Sequence, residues 1–241
     1  MSGYLIQLSG DIRRAAPEPA RGFAEALTAG PDITVVAEIK RASPSQGSIA
    51  PAADVAETAR AYAAGGAAAM SVLCAERDFA GNLGDLTAAR RAAELPALAK
   101  DFTVFTEQVA AQRLAGADAI LVILALVSDD EARRLLQAAE LLGMDALVEA
   151  HSAAEVERAL GLDAHVVGVN ARDLDSLAID RDRQLELVAS IPRTVVRVAE
   201  SGIGSRADVE AARDAGADAV LVGTALMRRP QLLAELTGVP R

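Results

Sequence analysis

Lysine is nearly absent from this chain of 241 residues, which has only Lys40 and Lys100 among its 24 basic residues. Every other basic residue is an arginine. An arginine side chain keeps its proton in a protein, whereas a partly buried lysine can release one. Both lysines stand where an apolar run meets a polar loop. The scarcity of lysine therefore predicts that these two positions take part in proton transfer.

Three further scarcities exclude whole classes of protein. The lone cysteine, Cys74, rules out an internal disulfide and fits a reducing cytoplasm. The net charge of −10 argues against nucleic acid or an anionic membrane as the main partner, because either needs a basic surface. The longest apolar run, 119–127, is too short to span a bilayer, and the N-terminus lacks the features of a secretory signal. We expect a cytoplasmic protein.

The chain is poor in aromatic residues, at 2%, but 51% of it is hydrophobic, mostly alanine, valine and leucine. This composition favours branched-residue strands packed against helices. Strand-sized runs occupy 33–40, 67–74, 97–100, 119–126, 145–150, 165–170, 195–200 and 219–223, with helical spacing between them. Eight such units predict an α/β fold, a single (β/α)8 TIM barrel, with a doubly wound sheet as the alternative.

An internal repeat supports closure of the barrel. Ala-Gly-Ala-Asp-Ala-Ile-Leu-Val at 115–122 returns as Ala-Gly-Ala-Asp-Ala-Val-Leu-Val at 215–222. Each copy has the composition of a helix end, a glycine stop and a buried strand. We expect one domain over 1–241, with a short N-terminal extension (1–32) that covers the bottom of the barrel and the barrel itself at 33–241.

Ionisable residues stand at the predicted C-terminal ends of the strands, where barrel enzymes carry their chemistry. Packing alone does not explain why several strands would place charged residues at one mouth of the barrel. We therefore interpret these residues as a functional site. Glu38 and Lys40 are two apart and share a face of the first strand, while Ile39 faces the helices. The candidate catalytic residues are Glu38, Lys40, Lys100, Glu149, Asn170, Glu200 and Ser201.

Glycines follow the seventh and eighth strands, the usual phosphate site of this fold. Gly202 and Gly204 follow the seventh strand, and Gly223 and Thr224 follow the eighth. The loop after the first strand adds hydroxyl groups, including Ser43. The sequence therefore predicts that a phosphorylated small molecule binds here. No third glycine completes a dinucleotide fingerprint.

Metal chemistry is not expected. Glu38, Glu149 and Glu200 could in principle bind a divalent ion, but the two lysines among them already supply counter-ions. His151 and His165 are interpreted as surface or capping residues, and Cys74 as a small core residue.

Six runs in order resemble the indole-3-glycerol-phosphate synthase family of tryptophan biosynthesis. They are Ala-Glu-Ile-Lys-Arg-Ala-Ser-Pro-Ser-Gln-Gly (37–47), Lys-Asp-Phe (100–102), Leu-Val-Glu-Ala-His (147–151), Gly-Val-Asn-Ala-Arg-Asp-Leu (168–174), Ala-Glu-Ser-Gly-Ile (199–203) and Leu-Val-Gly-Thr-Ala-Leu-Met (221–227). The first run is long and specific. The resemblance implies a carbon-carbon lyase that closes an indole ring on 1-(2-carboxyphenylamino)-1-deoxyribulose 5-phosphate, with loss of carbon dioxide and water and without a cofactor or metal.

The resemblance also implies roles for particular residues. Lys100 would be the general acid that activates the sugar carbonyl, and its pKa should be lowered by burial and by the nearby Lys40. Lys40 would pair with the substrate carboxylate and take part in the dehydration, for which Glu149 would be the acid/base. Glu38, Asn170, Glu200 and Ser201 would orient these groups. The substrate-binding residues would be Phe79 against the ring, and Ser43, Arg172, Gly202, Gly223 and Thr224 around the phosphate.

The chain departs from the family pattern around the ring and the lid. The family usually has a longer N-terminal extension than residues 1–32 of this chain. Tyr4 and Phe23 are the only aromatic residues in this segment. Ala75 stands where the family usually has a polar residue, and Thr224 stands where it usually has Glu or Ser. Thr-Val-Phe-Thr-Glu (103–107) replaces the usual loop after Lys-Asp-Phe.

Three alternatives stay open. The departures allow a paralogue that closes a ring on a modified anthranilate-derived substrate. A non-catalytic barrel that binds a phosphorylated metabolite would be expected to lose an acid/base group, which this chain does not. The related isomerase of the same pathway typically uses a cysteine or aspartate pair, where this chain has Glu-Ile-Lys. A monomer or a weak homodimer is expected.

Overall fold

Eight parallel strands form a closed barrel. The structure, a computed structural model, describes residues 10–12, 14–16 and 18–241. Each strand pairs with the next along the chain, and the last pairs with the first from Thr34↔Ala219 to Ala37↔Val222. The barrel predicted from the sequence is therefore correct, and the alternative of an open doubly wound sheet is excluded.

The barrel strands lie close to the predicted positions. They are β1 (Asp32–Ile39), β2 (Ala69–Leu73), β3 (Ala97–Lys100), β4 (Ala119–Ile123), β5 (Asp145–Ala150), β6 (Val166–Asn170), β7 (Val196–Glu200) and β8 (Ala219–Val222). The fourth strand was predicted to continue to residue 126, but Leu124–Leu126 form a 3₁₀ turn. The apolar run misled the prediction because Leu124 stays buried after the strand has ended.

Helices cover the barrel and one plugs its lower end. They are α1 (Phe23–Thr28), α2 (Val55–Ala64), α3 (Glu76–Phe79), α4 (Leu83–Ala92), α5 (Thr106–Leu114), α6 (Asp129–Leu141), α7 (Ala153–Gly161), α8 (Arg181–Ser190), α9 (Arg206–Asp214), α10 (Thr224–Arg228) and α11 (Leu233–Leu236). Within the described ranges, no helix is long and apolar enough to cross a membrane.

The side chains of each strand alternate between two apolar clusters. One set faces the helices and forms the larger cluster, including Ile39, Val72 and Val148. The other set fills the lower half of the barrel interior, including Val36, Leu98 and Leu147. The interior is therefore a packed core at its N-terminal end, and the ionisable residues at the C-terminal ends of the strands lie above it.

The helix α1, in the described part of the N-terminal extension, covers the bottom of the barrel. Phe23 and Leu27 of α1 are fully buried within the inner cluster. The backbone N–H groups of Arg21 and Ala24 donate to the carboxylates of Asp118 and Asp145, which lie at the starts of β4 and β5. Phe23 therefore closes the end of the barrel opposite the mouth, and Tyr4 lies outside the described residues.

The aspartates of the internal repeat, Asp118 and Asp218, make equivalent hydrogen bonds in the two copies. Asp118 accepts a hydrogen bond from the Ala97 N–H at 2.8 Å, and Asp218 accepts one from the Arg197 N–H at 2.9 Å. Each aspartate also pairs with an arginine, Arg90 for Asp118 and Arg197 for Asp218. The repeat therefore ties the start of one strand to the loop that leads into the next.

Candidate active site

The ionisable groups of the mouth lie one step above the apolar interior on their own strands. Side chains two apart on a strand share a face. The pairs, apolar residue first, are Val36 and Glu38, Leu98 and Lys100, Leu147 and Glu149, and Val198 and Glu200. The three glutamates are no more than 4% exposed, so each needs a partner.

Lys100 holds two of these carboxylates together. Its Nζ lies 2.7 Å from Glu149 Oε2 and 2.5 Å from Glu200 Oε2. Asn170 donates from Nδ2 to Glu149 Oε1 at 3.2 Å. Side chains from four strands, β3, β5, β6 and β7, thus meet at one cluster. We call it the Lys100 cluster: Lys100, Glu149, Asn170 and Glu200.

The second lysine makes its own pair beside this cluster. Lys40 Nζ lies 2.8 Å from Glu38 Oε1, and the two side chains reach the same cavity from one strand. Ile39 between them packs into the outer cluster, as predicted. The Tyr62 hydroxyl donates to the backbone carbonyl of Glu38 at 3.2 Å and so fastens this strand end to α2.

The pKa of Lys100 is shifted in the direction opposite to the one predicted from the sequence. Burial alone would lower the pKa of Lys100, but Glu149, Glu200 and Glu38 outweigh it and raise that pKa above the ordinary lysine value. The predicted lowering was wrong because the groups nearest to Lys100 are carboxylates and not the other lysine. Lys100 therefore carries a firmly held proton before substrate binds.

The two carboxylates of the cluster differ in their proton affinity. Burial raises the pKa of Glu200, and Glu149 adds to this against the attraction of Lys100. Burial acts on Glu149 too, but Lys100 and His151 keep the pKa of Glu149 well below its usual range. Neighbouring carboxylates with separated pKa values can serve as acid and base in one site. In the folded chain Glu149 is the more firmly ionised of the two carboxylates.

His151 belongs to the site, so its interpretation as a surface or capping residue was wrong. Its Nε2 lies 3.3 Å from Glu149 Oε1, and its Nδ1 lies 3.3 Å from Glu155 Oε2. Burial favours the neutral ring, but these two carboxylates raise the pKa of His151 to about 9. The spacing of two from Glu149 could have revealed it, as it did for Glu38 and Lys40. His165 is exposed, as expected.

Two glycines leave room for the carboxylates of the mouth. A Cβ at Gly168 would lie 2.0 Å from Glu200 Oε1, and one at Gly223 would lie 2.2 Å from Glu38 Oε1 and 2.9 Å from Lys40 Nζ. All three distances are shorter than real Cβ contacts, so the carboxylates or Lys40 would have to move. The absence of a side chain at both positions is thus a requirement of the carboxylate arrangement.

The predicted phosphate residues all line the cavity. They are Ser43, Arg172, Gly202, Gly223 and Thr224, with Ser201 beside them. The Ser43 hydroxyl is buried and has no hydrogen-bond partner within the described part of the chain. Ser201 and Gly202 both have positive φ, of 69° and 73°. This turn is unusual for serine and directs the chain around the end of β7.

Apolar side chains from several loops also contribute to the lining of the cavity. The rings of Phe79 and Phe102 lie 6.2 Å apart at their centroids, inclined by 43°. Leu126, Leu174 and Ile179 line the same cavity and are more than a third exposed. Phe79 was predicted to contact an aromatic ring. The other members were not singled out, because single exposed apolar residues in loops carry no signal before the loops are brought together.

The cavity that unites these groups has a volume of about 1060 Å³. That is at the upper end for sites that enclose a small molecule. Among the residues that the structure describes, no group of three or more His, Cys, Asp and Glu side chains could hold a metal ion. Cys74 is buried, which raises the pKa of its thiol, and it makes no site of its own.

The sequence and the fold were compared with those of known proteins. The model of the family described as indole-3-glycerol phosphate synthase matches residues 5–238. The chain belongs to this family. It is 49% identical over 222 residues to the indole-3-glycerol phosphate synthase of Micrococcus luteus, covering 90% of this chain and 82% of that protein. It is 52% identical over 195 residues to the synthase of a Nocardioides species, covering 81% and 75%.

Solved structures with the same fold are distant in sequence. An N-acetylmannosamine-6-phosphate 2-epimerase from Clostridium perfringens is 16% identical, with a TM-score of 0.65, and the match covers 90% of this chain and 95% of that one. A thiamine phosphate pyrophosphorylase from Pyrococcus furiosus is 16% identical, with a TM-score of 0.61 and coverage of 88% and 95%. At this identity the likeness concerns the fold alone. The match to the synthase family model confirms the family that the six motifs indicated.

Proposed function

We propose that this chain closes the indole ring of 1-(2-carboxyphenylamino)-1-deoxyribulose 5-phosphate, releasing carbon dioxide and water. The observation that carries the proposal is the Lys100 ammonium, held at 2.7 Å and 2.5 Å by Glu149 and Glu200. The cluster lies in a cavity lined both by apolar side chains and by the residues predicted to bind phosphate. Synthase family membership supplies the reaction.

The phosphate and the aromatic ring define the two ends of the bound substrate. Ser43, Arg172, Gly202, Gly223 and Thr224 hold the phosphate. One Arg172 nitrogen, Nη1, donates to the Leu177 carbonyl at 2.9 Å, which fixes the guanidinium in the loop after β6. Phe79 packs against the ring, with Phe102 beside it. Lys40 pairs with the substrate carboxylate in competition with Glu38.

The condensation step uses the proton of Lys100. As the aromatic carbon attacks the sugar carbonyl, negative charge develops on the carbonyl oxygen. The Lys100 ammonium stabilises this charge and donates its proton to the oxygen as the bond forms. Carbon dioxide then leaves from the attacked ring position, and the aromatic system is restored.

The dehydration step uses Glu149. The hydroxyl left by the condensation departs as water once it receives a second proton, which Lys40 or Lys100 supplies. Glu149, ionised beside Lys100 and His151, removes the C–H proton that allows the ring double bond to form. Glu38, Asn170, Glu200 and Ser201 orient these groups and the sugar hydroxyls.

The remaining expectations belong to this proposal. We propose a single domain, a location in the cytoplasm, a monomer or weak homodimer, and catalysis without cofactor or metal. The −10 charge means that attraction for the anionic substrate comes from Lys40, Lys100 and Arg172, which line the cavity. Nucleic acid is not a partner of such a surface.

The proposal is tested by indole fluorescence after mixing the protein with the substrate in metal-free buffer. We expect catalytic turnover, with the unsubstituted substrate preferred over ring-substituted anthranilate analogues. A preference for an analogue would support the paralogue instead, since Ala75 and Thr224 depart from the family pattern. Tight binding of every substrate without turnover would favour the non-catalytic barrel.

A further inference from the structure

One glutamine side chain behind the barrel binds the ends of two strands that carry the site. Gln184 lies on α8, the helix between β6 and β7, and is fully buried. Its Nε2 donates to the carbonyl of Val169 at 2.7 Å and to the carbonyl of Glu200 at 2.5 Å. Val169 directly precedes Asn170, so both bonds lie at members of the Lys100 cluster or next to them. Gln184 itself is not among the residues that line the cavity.

A neighbouring arginine fixes the direction in which the glutamine amide points. Arg181 Nη1 donates to Gln184 Oε1 at 2.6 Å. A guanidinium can only donate hydrogen bonds, so the amide oxygen faces Arg181 and the amide nitrogen faces the two carbonyls. The two hydrogens of that nitrogen match the two carbonyl acceptors. The site behind β6 and β7 is therefore built for an amide, because a carboxylate could not donate to either carbonyl.

The same arginine packs against the turn at 201–204, which follows β7. A Cβ at Gly202 would lie 2.6 Å from Arg181 Cδ, so the glycine and the arginine stem are in close contact. Arg181 Nη2 donates to the backbone carbonyl of Asp208 at 3.0 Å, and the Asp208 carboxylate accepts from the Gly204 N–H at 3.0 Å. The glutamine and the turn that carries Gly202 therefore share one support.

The Glu200 carbonyl belongs to the peptide that joins the Lys100 cluster to this turn. Its oxygen also accepts from the Ala171 N–H at 2.9 Å. Because a peptide unit is planar, two bonds to this oxygen fix the plane between Glu200 and Ser201. From one side of that plane the Glu200 carboxylate reaches Lys100, and on the other Ser201 begins the turn with a φ of 69°. A positive φ is unfavourable for serine and needs support from its surroundings.

We propose that Gln184 is a positioning residue that holds the end of β7. One buried amide would then set both the reach of Glu200 to Lys100 and the turn that carries Gly202 of the phosphate site. The inference rests on the proposed function. Gln184 acts through the backbone of Glu200 and does not touch the substrate. Its consequence is that a change behind the barrel alters the chemical step and phosphate binding together.

The test is Gln184→Met, which keeps a side chain of similar length but removes both N–H donors. The carbonyls of Val169 and Glu200 each lose a buried partner, so the end of β7 moves. We expect kcat to fall by about 10²-fold, because small displacements of reacting groups have effects of this size. Isothermal titration with inorganic phosphate should show a dissociation constant raised by about tenfold, the equivalent of one lost hydrogen bond.

Val188→Ala is the matched control. Val188 is also fully buried on α8, one turn beyond Gln184, and packs in the outer apolar cluster. Its truncation loosens the packing of the same helix but leaves both carbonyls bonded to the amide. We expect the urea midpoint to fall in both variants. Only in Val188→Ala should kcat per folded molecule and phosphate affinity stay within about twofold of wild type.

Arg181→Met provides a second variant if Gln184→Met does not fold. Arg181 is only partly buried, so its replacement should be tolerated. The methionine keeps apolar contact with Gly202, but nothing then holds the Gln184 amide in its orientation. We expect kcat and phosphate affinity both to fall, by less than in Gln184→Met.

Two results would overturn the positioning role. One is a kcat and a phosphate affinity in Gln184→Met equal to those of Val188→Ala, compared per folded molecule. The other is a loss of kcat with unchanged phosphate binding, or the reverse, because a shared support must affect both. Absence of turnover by the unsubstituted chain would instead overturn the proposed function. The phosphate titration needs no turnover, so it would still test the role of Gln184.

Discussion

The scarcity of lysine was the residue-scale observation that located the site. Lys40 and Lys100 both reach the cavity, and each ion-pairs with a glutamate from the mouth of the barrel. The sequence could assign them to the rim because strand ends and side-chain parity are local properties. It could not give the pKa direction of Lys100, which depends on carboxylates 49 and 100 residues away in the chain.

Replacing Lys100 by arginine separates its charge from its proton. Lys100→Arg keeps a cation between Glu149 and Glu200 but does not release a proton at working pH. We expect kcat to fall by about 10²-fold or more, with KM within a few-fold of wild type. Steady-state indole fluorescence measures both constants. Arg133→Lys, an exposed pair with Asp130, is the control and should be unaffected.

Gly168 provides a test of how closely Glu200 is placed. A Cβ there would lie 2.0 Å from Glu200 Oε1 and 3.1 Å from Leu147 Cδ1. In Gly168→Ala the carboxyl end of Glu200 must move, which disrupts its contact with Lys100. We expect a loss of about 1–3 kcal/mol in the free energy of unfolding and a fall of about 10²-fold in kcat.

Gly161→Ala is the matched control for this substitution. Gly161 ends α7, its backbone needs no positive φ, and a Cβ there meets no atom within 4 Å. Alanine should leave activity unchanged and stabilise the helix by up to about 1 kcal/mol. Equal kcat in Gly168→Ala and wild type would show that Glu200 tolerates displacement and would refute this account of the glycine.

At the scale of elements, the alternation of strands and helices was predictable because each unit is a local period. The eight strands are in place within a few residues, and the N-terminal helix closes the bottom. The exposed apolar lining of the cavity was not predictable, because Phe102, Leu126 and Ile179 come from three different loops. Their meeting is a property of the closed barrel and not of any loop sequence.

The repeated aspartates make a prediction about stability without activity. Asp118 is fully buried and binds Arg90, Arg21 N and Ala97 N. The Asp218 side chain is 17% exposed, and its ion pair with the Arg197 guanidinium is 3.1 Å long. Asp118→Asn should cost about 3 kcal/mol in the free energy of unfolding, and Asp218→Asn about 1 kcal/mol. Denaturant titration measures both.

Both aspartates lie at the end of the barrel opposite the site, where residues serve stability. We therefore expect kcat/KM per folded molecule to stay within twofold of wild type in both variants. A large loss of kcat in folded Asp118→Asn protein would show that the lower end of the barrel is coupled to the Lys100 cluster.

At the scale of the whole molecule, the stability of the protein should depend on pH through His151. Its pKa is raised to about 9 in the folded chain, against an ordinary value of 6.5. The stabilisation is fully present below pH 6.5 and is lost as the pH rises through 9. Relative to His151→Gln, the wild type should lose on the order of 1–2 kcal/mol between these limits.

This pH dependence is measured by urea unfolding of both proteins at several pH values. Groups that do not contact His151 contribute equally to the two proteins, so the difference reports on His151 and the carboxylates paired with it. A difference that stays constant from pH 6 to pH 10 would contradict the ion pairs that the structure gives this ring.

The most direct test of the central claim is the stoichiometry of the reaction itself. The purified chain is mixed with 1-(2-carboxyphenylamino)-1-deoxyribulose 5-phosphate in chelator-treated buffer, and indole product and released carbon dioxide are measured in the same sample. Ring closure with Lys100 as acid predicts catalytic formation of both, in a ratio of one to one. Carbon dioxide release without indole, or no release at all, would contradict it.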